Sequence, residues 1–190
     1  TEEANGVIWT RLSPDAADAQ VPALVEQFRF QGLPAVWRLD SATEPADMAA
    51  RLEALGCEPV PPGVRMGAAL ADLAREMSLF PGLTVDRVES AEDLRAWFDI
   101  WSSITAEPPG PRIQFYSHLD VSGRQPLQFY LAKIDGEPAG IAELFMGGRA
   151  AGLYSLGVAP RFRGRGIGTA LVLTPLLVAR THGYDLGVVE

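Results

Sequence analysis

The chain has 190 residues and carries 24 acidic and 16 basic side chains, so its formal net charge is -8. No apolar run approaches the roughly 18 residues that a helix needs to span a bilayer, and the single cysteine, Cys57, excludes an intrachain disulfide and a cysteine-based metal cluster. An acidic chain is a poor binder of nucleic acid, whose phosphates require a broad basic face. Taken together, these features predict a cytoplasmic protein that binds no nucleic acid, membrane or metal.

The first 80 residues are predicted to form a small α/β region. Over residues 15–30 apolar side chains recur at helical spacing, at Val21, Leu24, Val25 and Phe28. A second helix is predicted over residues 44–56, where Pro45 lies near the first turn and Gly56 follows the last. These helices alternate with strand-like apolar segments at residues 7–12, 34–40 and, ambiguously, 64–73.

After Pro81-Gly82 the predicted order is strand, helix, three strands, helix and strand. Ser90 is placed to cap a helix that runs through Trp101, and Asp135-Gly136 is a two-residue turn typical of a hairpin. The strands are predicted at residues 83–89, 127–134, 139–145, 151–159 and 186–190. The fold class that follows is α/β (α+β), with one domain over residues 1–80 and a second over residues 81–190.

The stretch VAPRFRGRGIGTALV, residues 158–172, lies between the fourth strand of the second region and the helix after it. The first amides of a helix lack internal partners and bind phosphates readily. Alternating glycines let the main chain approach a diphosphate closely; they are Gly164, Gly166 and Gly168. Arginines beside them add positive charge; they are Arg161, Arg163 and Arg165. A dinucleotide fingerprint fails because Thr169 stands where its third glycine belongs. The stretch favours a small polyanion over the alternative, a solvated basic turn.

This strand, loop and helix resemble the acyl-CoA signature R/Q-x-x-G-x-G/A of the GNAT superfamily of N-acetyltransferases, of the actinobacterial type with an extra N-terminal region. The resemblance covers residues 83–190 and implies the GNAT fold, a mixed and mostly antiparallel central sheet flanked by helices, with acetyl-CoA as cosubstrate. In the family the loop amides hold the CoA pyrophosphate and the preceding strand pairs with the pantetheine arm. The positions implied here are Leu156, Gly157, Val158, Arg163, Gly164, Arg165, Gly166, Ile167, Gly168 and Thr169. Gly157 would suit the bulge that often opens this strand.

The resemblance also implies an N-acyltransferase that moves the acetyl group of acetyl-CoA to a primary amine of a small molecule or a protein. Glu143, a carboxylate in an apolar strand, is the candidate base, and its alternative is a side chain on the solvent side of that strand. Tyr154 is predicted to line the acceptor pocket, or else to pack as an ordinary aromatic.

The acid that many family members use, a tyrosine on the helix after the fifth strand, would fall beyond Glu190, so we expect the second domain to be incomplete at its C-terminus. The alternative to an enzyme is a non-catalytic acyl-CoA-binding module, and a homodimer is one assembly open to either. The first region resembles the family's fifth strand, fourth helix and closing hairpin more weakly. It is either a degenerate GNAT-like module or an unrelated α/β cap, and it lacks a glycine–arginine loop, so we expect it to bind no CoA.

Overall fold

A computed structural model divides the chain into two units, Thr1–Pro62 and Gly63–Glu190. The structure describes residues 6–32, 34–61, 65–74, 79–106, 113, 116 and 126–189. No helix within these ranges is long and apolar enough to cross a membrane.

The described part of the first unit contains two helices. Helix α1 (Pro14–Phe30) begins after Ser13, whose hydroxyl accepts a hydrogen bond from the Ala16 amide at 3.2 Å. Helix α2 spans Met48–Ala54. The buried apolar side chains of this unit are Ala17, Val21, Val25, Met48 and Leu52. Both predicted helices are confirmed, although α2 is shorter than the predicted segment.

The strands of the first unit are much shorter than the sequence predicts. Strand β1 (Gly6–Val7) pairs in parallel with strand β2 (Val36–Trp37), and the ladder joins only these two residue pairs. Beyond them, Ile8 and Trp9 are 79% and 61% exposed. The sequence predicts a strand over residues 7–12, but a strand extends only as far as a partner supplies hydrogen bonds.

The second unit is a six-stranded sheet with the order β3-β8-β7-β6-β5-β4. Every neighbouring pair is antiparallel except β7 and β8, which are parallel. The strands are β3 (Met66–Ala69), β4 (Leu83–Arg87), β5 (Leu127–Ile134), β6 (Glu137–Gly147), β7 (Ala150–Val158) and β8 (Leu186–Val189). Two helices have described bounds, α3 (Ala91–Thr105) and α4 (Ile167–Thr181). The predicted fold class, a mixed and mostly antiparallel sheet flanked by helices, is confirmed.

Helices α3 and α4 pack on opposite faces of this sheet. Helix α3 begins at the predicted cap Ser90 and buries Trp97 against Phe129 of β5, with ring centroids 5.3 Å apart. On the other face, Leu171 of α4 lies over Gly140 of β6, where an added Cβ would be 2.8 Å from the leucine Cδ1. Glycine at this position therefore lets the helix approach the sheet.

Strand β3 is an edge strand that the sequence placed in the first region. It pairs with β8, and the helical turn after it buries Leu70 completely. Arg180 of α4 donates hydrogen bonds to the carbonyls of Leu70 and Leu73, at 3.3 and 3.1 Å. The division at Pro62 therefore precedes the sequence boundary at residue 80. The predicted change from strand to helix within residues 64–73 is found here, as β3 and the 3₁₀ turn Leu70–Asp72. The sequence did not predict the sheet to which β3 belongs.

Candidate functional site

The loop after β7 turns sharply before α4 begins. A short 3₁₀ turn over Pro160–Phe162 is followed by two residues in the left-handed region, Gly164 at φ +75° and Gly166 at φ +77°. An added Cβ at either position would meet no atom within 4 Å. These glycines are therefore required by backbone conformation and not by crowding.

The turn leaves a row of unused backbone amides at the start of α4. Its first helical hydrogen bond runs from the Ala170 amide to the Gly166 carbonyl, at 3.1 Å. Among the described residues, no group accepts a hydrogen bond from the amides of residues 164–169, and no side chain caps Gly166. The first turn of α4 also contains no acidic residue. Unpartnered amides and the helix dipole together create a positive potential that favours an anion.

The three arginines of the loop have different surroundings. The Arg163 Nε donates a hydrogen bond to the Val158 carbonyl at 3.1 Å, so this side chain folds back on β7. Arg161 forms an exposed ion pair with Glu137. Arg165 is exposed and forms no ion pair with a described residue, which leaves its guanidinium available to a bound anion.

A bulge interrupts β7 shortly before this loop. The register with β6 shifts so that Ser155 and Leu156 lie opposite the single residue Ala142, and Ser155 has φ +47°. The sequence suggested that Gly157 would serve this bulge. Gly157 instead makes room for α3, because an added Cβ would lie 2.6 Å from Cδ1 of Ile104.

One edge of β7 is open beside the bulge. Strand β8 pairs with β7 only from Ala150 to Leu153. In the described part of the chain, residues 154–158 have a strand partner on the β6 side alone. The predicted residues Leu156, Gly157 and Val158 therefore lie on an edge that can accept an additional extended segment.

Glu143 of β6 lies next to the bulge and is only 6% exposed. Its Oε2 accepts a hydrogen bond from the Ser155 hydroxyl at 3.0 Å. Its cross-strand neighbours are Phe129 and Tyr154. The alternative reading of Glu143 as a carboxylate on the solvent side is therefore wrong, because α3 covers this face of the sheet at this point.

Tyr154 is 39% exposed, and its ring lies flat on the strand. An added Cβ at Gly152 would be 2.8 Å from the tyrosine Cε2, so the glycine makes space for the ring. Phe145, the cross-strand neighbour of Gly152, is also 45% exposed. Tyr154 is therefore a surface aromatic beside a buried carboxylate.

The opposite face of the sheet carries an open groove of about 790 Å³ beside the C-terminal half of α4. Tyr130 of β5 lines it and donates a hydrogen bond to Gln128 Oε1 at 3.0 Å. Burial raises the pKa of Tyr130 to about 12, so this phenol stays neutral at ordinary pH. The groove is separated from Glu143 by the sheet.

The sequence singles out the loop and Glu143 as candidates but does not point to Ser155, which the structure places beside Glu143. A serine between two strand-like residues carries no signal for a left-handed conformation, which depends on the register of β6 against β7. No group of three or more His, Cys, Asp or Glu side chains that could hold a metal occurs within the described ranges.

Comparison with known proteins gives a family and a fold. The model of the acetyltransferase (GNAT) family matches residues 91–189. Solved structures with a similar fold include a GCN5-related N-acetyltransferase from Kribbella flavida, with a TM-score of 0.61 and 19% identity. A GCN5-related N-acetyltransferase from Sphaerobacter thermophilus has a TM-score of 0.65 and 19% identity. A functionally unknown protein from Staphylococcus epidermidis has a TM-score of 0.63 and 13% identity.

These structures differ in how much of them the chain spans. The match to the Kribbella protein includes 90% of this chain and 65% of that protein. The corresponding shares are 90% and 56% for the Sphaerobacter protein and 95% and 71% for the Staphylococcus protein. No curated protein sequence matches the chain.

Proposed function

The chain belongs to the GNAT acetyltransferase family, and we propose that it transfers the acetyl group of acetyl-CoA to a primary amine. The observation that carries this proposal is the row of amides at residues 164–169, which donate to no group among the described residues and follow an open strand edge. A diphosphate and an extended pantetheine arm are the two parts of acetyl-CoA that such a loop and such an edge would hold.

The loop would bind the diphosphate through main-chain donors. Two left-handed glycines, Gly164 and Gly166, turn the chain so that successive amides face one region of space. The exposed guanidinium of Arg165 would add a charge-assisted contact. Arg163, predicted from the sequence to donate its amide to the diphosphate, is already engaged, because its amide donates to the Pro160 carbonyl at 3.3 Å and its side chain to the Val158 carbonyl.

The strand edge would direct the thioester toward the bulge. A pantetheine arm carries amide groups that can pair with the main chain of residues 156–158 as an added strand would. Its acyl end would then lie near Ser155 and Leu156, within reach of the buried carboxylate of Glu143. In this arrangement Glu143 serves as the base for the amine, and the half-exposed Tyr154 lines the side from which the amine enters.

The proposal is tested by isothermal titration of the full-length protein with acetyl-CoA and with S-acetyl-pantetheine, which lacks the diphosphate. We expect acetyl-CoA to bind and the truncated thioester to bind at least tenfold more weakly, since charge-assisted bonds to phosphate supply most of the difference. Absence of binding at millimolar acetyl-CoA would rule out the assigned loop.

Turnover is measured as release of free CoA thiol in the presence of spermidine, glucosamine and lysine-containing peptides. We expect release that depends on at least one of these amines. Binding of acetyl-CoA without amine-dependent release would instead favour a non-catalytic acyl-CoA-binding module.

A further inference from the structure

The backbone at Ser155 sets the direction of its side chain. Successive residues of a regular strand point to opposite faces of the sheet, so Ser155 would ordinarily point away from the face that carries Tyr154. The left-handed conformation at the bulge, with φ +47°, turns the Ser155 hydroxyl to the same face as Glu143. The bulge therefore brings a hydroxyl and a carboxylate together.

Serine is an unusual residue for this conformation. A Cβ disfavours the left-handed region, which glycine, asparagine and aspartate enter more readily. Strained backbone of this kind persists where the surrounding structure fixes it, and it occurs often at functional sites. Glycine would satisfy the turn without strain, so the feature that serine adds at position 155 is its hydroxyl.

The hydroxyl has a defined hydrogen-bonding direction. It donates its proton to Glu143 Oε2 at 3.0 Å, and no described group donates a hydrogen bond to its oxygen. The lone pairs of Ser155 Oγ are thus available on a side chain that is only partly buried, whereas Glu143 is 6% exposed. An amine that reaches the bulge meets the serine oxygen before it meets the carboxylate.

We propose that Ser155 relays a proton from the acceptor amine to Glu143. This inference rests on the proposed function. One N–H bond of the acceptor ammonium breaks and its proton binds Ser155 Oγ, while the proton of that hydroxyl passes to Glu143 Oε2. The nitrogen keeps the electron pair of the broken bond and becomes the nucleophile, and the carboxylate becomes a carboxylic acid. No further reactant is needed for this step.

Three variants of the full-length protein separate the relay from packing. Ser155→Gly removes the hydroxyl and relaxes the left-handed backbone. Ser155→Asn tolerates the same conformation and can still donate to Glu143, but an amide cannot pass a proton on. Glu143→Gln removes the proton acceptor. Titration with acetyl-CoA measures the affinity of each variant, because the pantetheine arm and the acyl group would lie beside this bulge.

The acceptors are two peptides that differ in the basicity of one amine. One offers a free α-amino group and no lysine, and the other has a blocked N-terminus and one lysine. At about pH 8.5 roughly four fifths of the α-amine but only about 1% of the lysine amine is neutral. The lysine peptide therefore depends much more on removal of a proton by the protein.

We expect Ser155→Gly and Ser155→Asn to lower kcat for the lysine peptide about 100-fold, within the range of general base catalysis. The loss for the α-amine peptide, measured at saturating acetyl-CoA, should be at least tenfold smaller. Equal losses for the two peptides, or full activity of Ser155→Asn, would overturn the relay and leave the proposed function intact. If the wild-type protein acetylates neither these peptides nor the amines of the thiol-release assay, the proposed function fails first and the relay falls with it.

Discussion

The assigned loop makes a sharp prediction at Gly168, the second residue of α4. Its backbone is not in the left-handed region, and an added Cβ would lie 4.0 Å from the nearest neighbour, Cγ2 of Val158. A side chain can therefore be introduced at this position without strain. The same position lies among the amides that would hold the diphosphate, so Gly168→Glu places a negative charge directly beside the proposed ligand.

The two consequences of this charge have opposite signs. Two like unit charges about 5 Å apart repel by about 3 kcal/mol at an effective dielectric constant of about 20, which weakens acetyl-CoA binding by about 100-fold. In the absence of ligand, an acidic residue in the first turn of a helix stabilises by about 0.3–1 kcal/mol. A gain of this size raises Tm by about 1–4 °C in a chain of this length. If Gly168→Glu raises Tm while it weakens acetyl-CoA binding, the loss of affinity is not caused by unfolding of the variant.

The assay combines titration with acetyl-CoA and thermal unfolding of the free protein. Gly168→Gln is the matched control, because it has the same shape without the charge. Ala91→Glu adds the same charge to the first turn of α3, away from the loop, and should leave acetyl-CoA affinity unchanged. Equal affinities of the Gly168→Glu and Gly168→Gln variants at low salt would refute the placement of the diphosphate on these amides.

Three further predictions concern the scaffold. Gly140→Ala places a Cβ 2.8 Å from Leu171 Cδ1, and overpacking of this kind should lower the free energy of unfolding by about 1–3 kcal/mol in denaturant titrations. Arg180→Met removes the side-chain donor to the Leu70 and Leu73 carbonyls, of which the Leu70 carbonyl keeps the Leu73 amide at 3.4 Å. We expect a loss of about 1–3 kcal/mol and faster amide exchange in β3. Lys133→Met removes the ammonium whose hydrogen bond lowers the pKa of Asp93. The stability that this pair contributes is present above about pH 3.9, the ordinary value for aspartate, and is lost as pH falls through the lower pKa of the folded state.

Each of these predictions has a control or a contrary outcome. Gly67→Ala adds a Cβ that would lie 3.7 Å from the Gly187 carbonyl oxygen, an ordinary contact distance, so the free energy of unfolding should hardly change. Equal losses of stability at Gly67 and Gly140 would contradict the packing argument. Arg149→Met removes an exposed ion pair with Asp185 and should leave the free energy of unfolding almost unchanged. A stability difference between wild type and Lys133→Met that stays constant down to pH 2 would contradict the role of the Asp93 carboxylate.

The features that sequence predicted well are local ones. The cap at Ser90, the hairpin turn at Asp135-Gly136 and the start of α4 each depend on a few adjacent residues whose conformational preferences are strong. The glycine–arginine loop belongs to the same class. Its glycines fix a backbone turn, and that turn exposes the amides regardless of the rest of the fold.

The features that sequence could not predict depend on distant partners. The sequence of residues 64–73 is ambiguous, and β3 belongs to the second unit because it pairs with β8. The positive φ of Ser155 arises from the register between β6 and β7. The burial of Glu143 likewise depends on α3 covering that part of the sheet. Binding of acetyl-CoA by the loop and catalysis by Glu143 stay predictions, which the experiments above test.

The position of β8 between β7 and β3 has a consequence for how the second unit folds. The contact of Arg180 with the Leu70 carbonyl spans 110 residues of sequence. Strand β8 comes last among the described strands, and it pairs with β3 from the start of the unit and with β7 from near its end. Closing so large a loop costs entropy before any contact repays it, so such topologies fold slowly. During synthesis, the edges of β3 and β7 that pair with β8 have no strand partner until β8 has left the ribosome. The nascent chain is most exposed to mispairing in that interval.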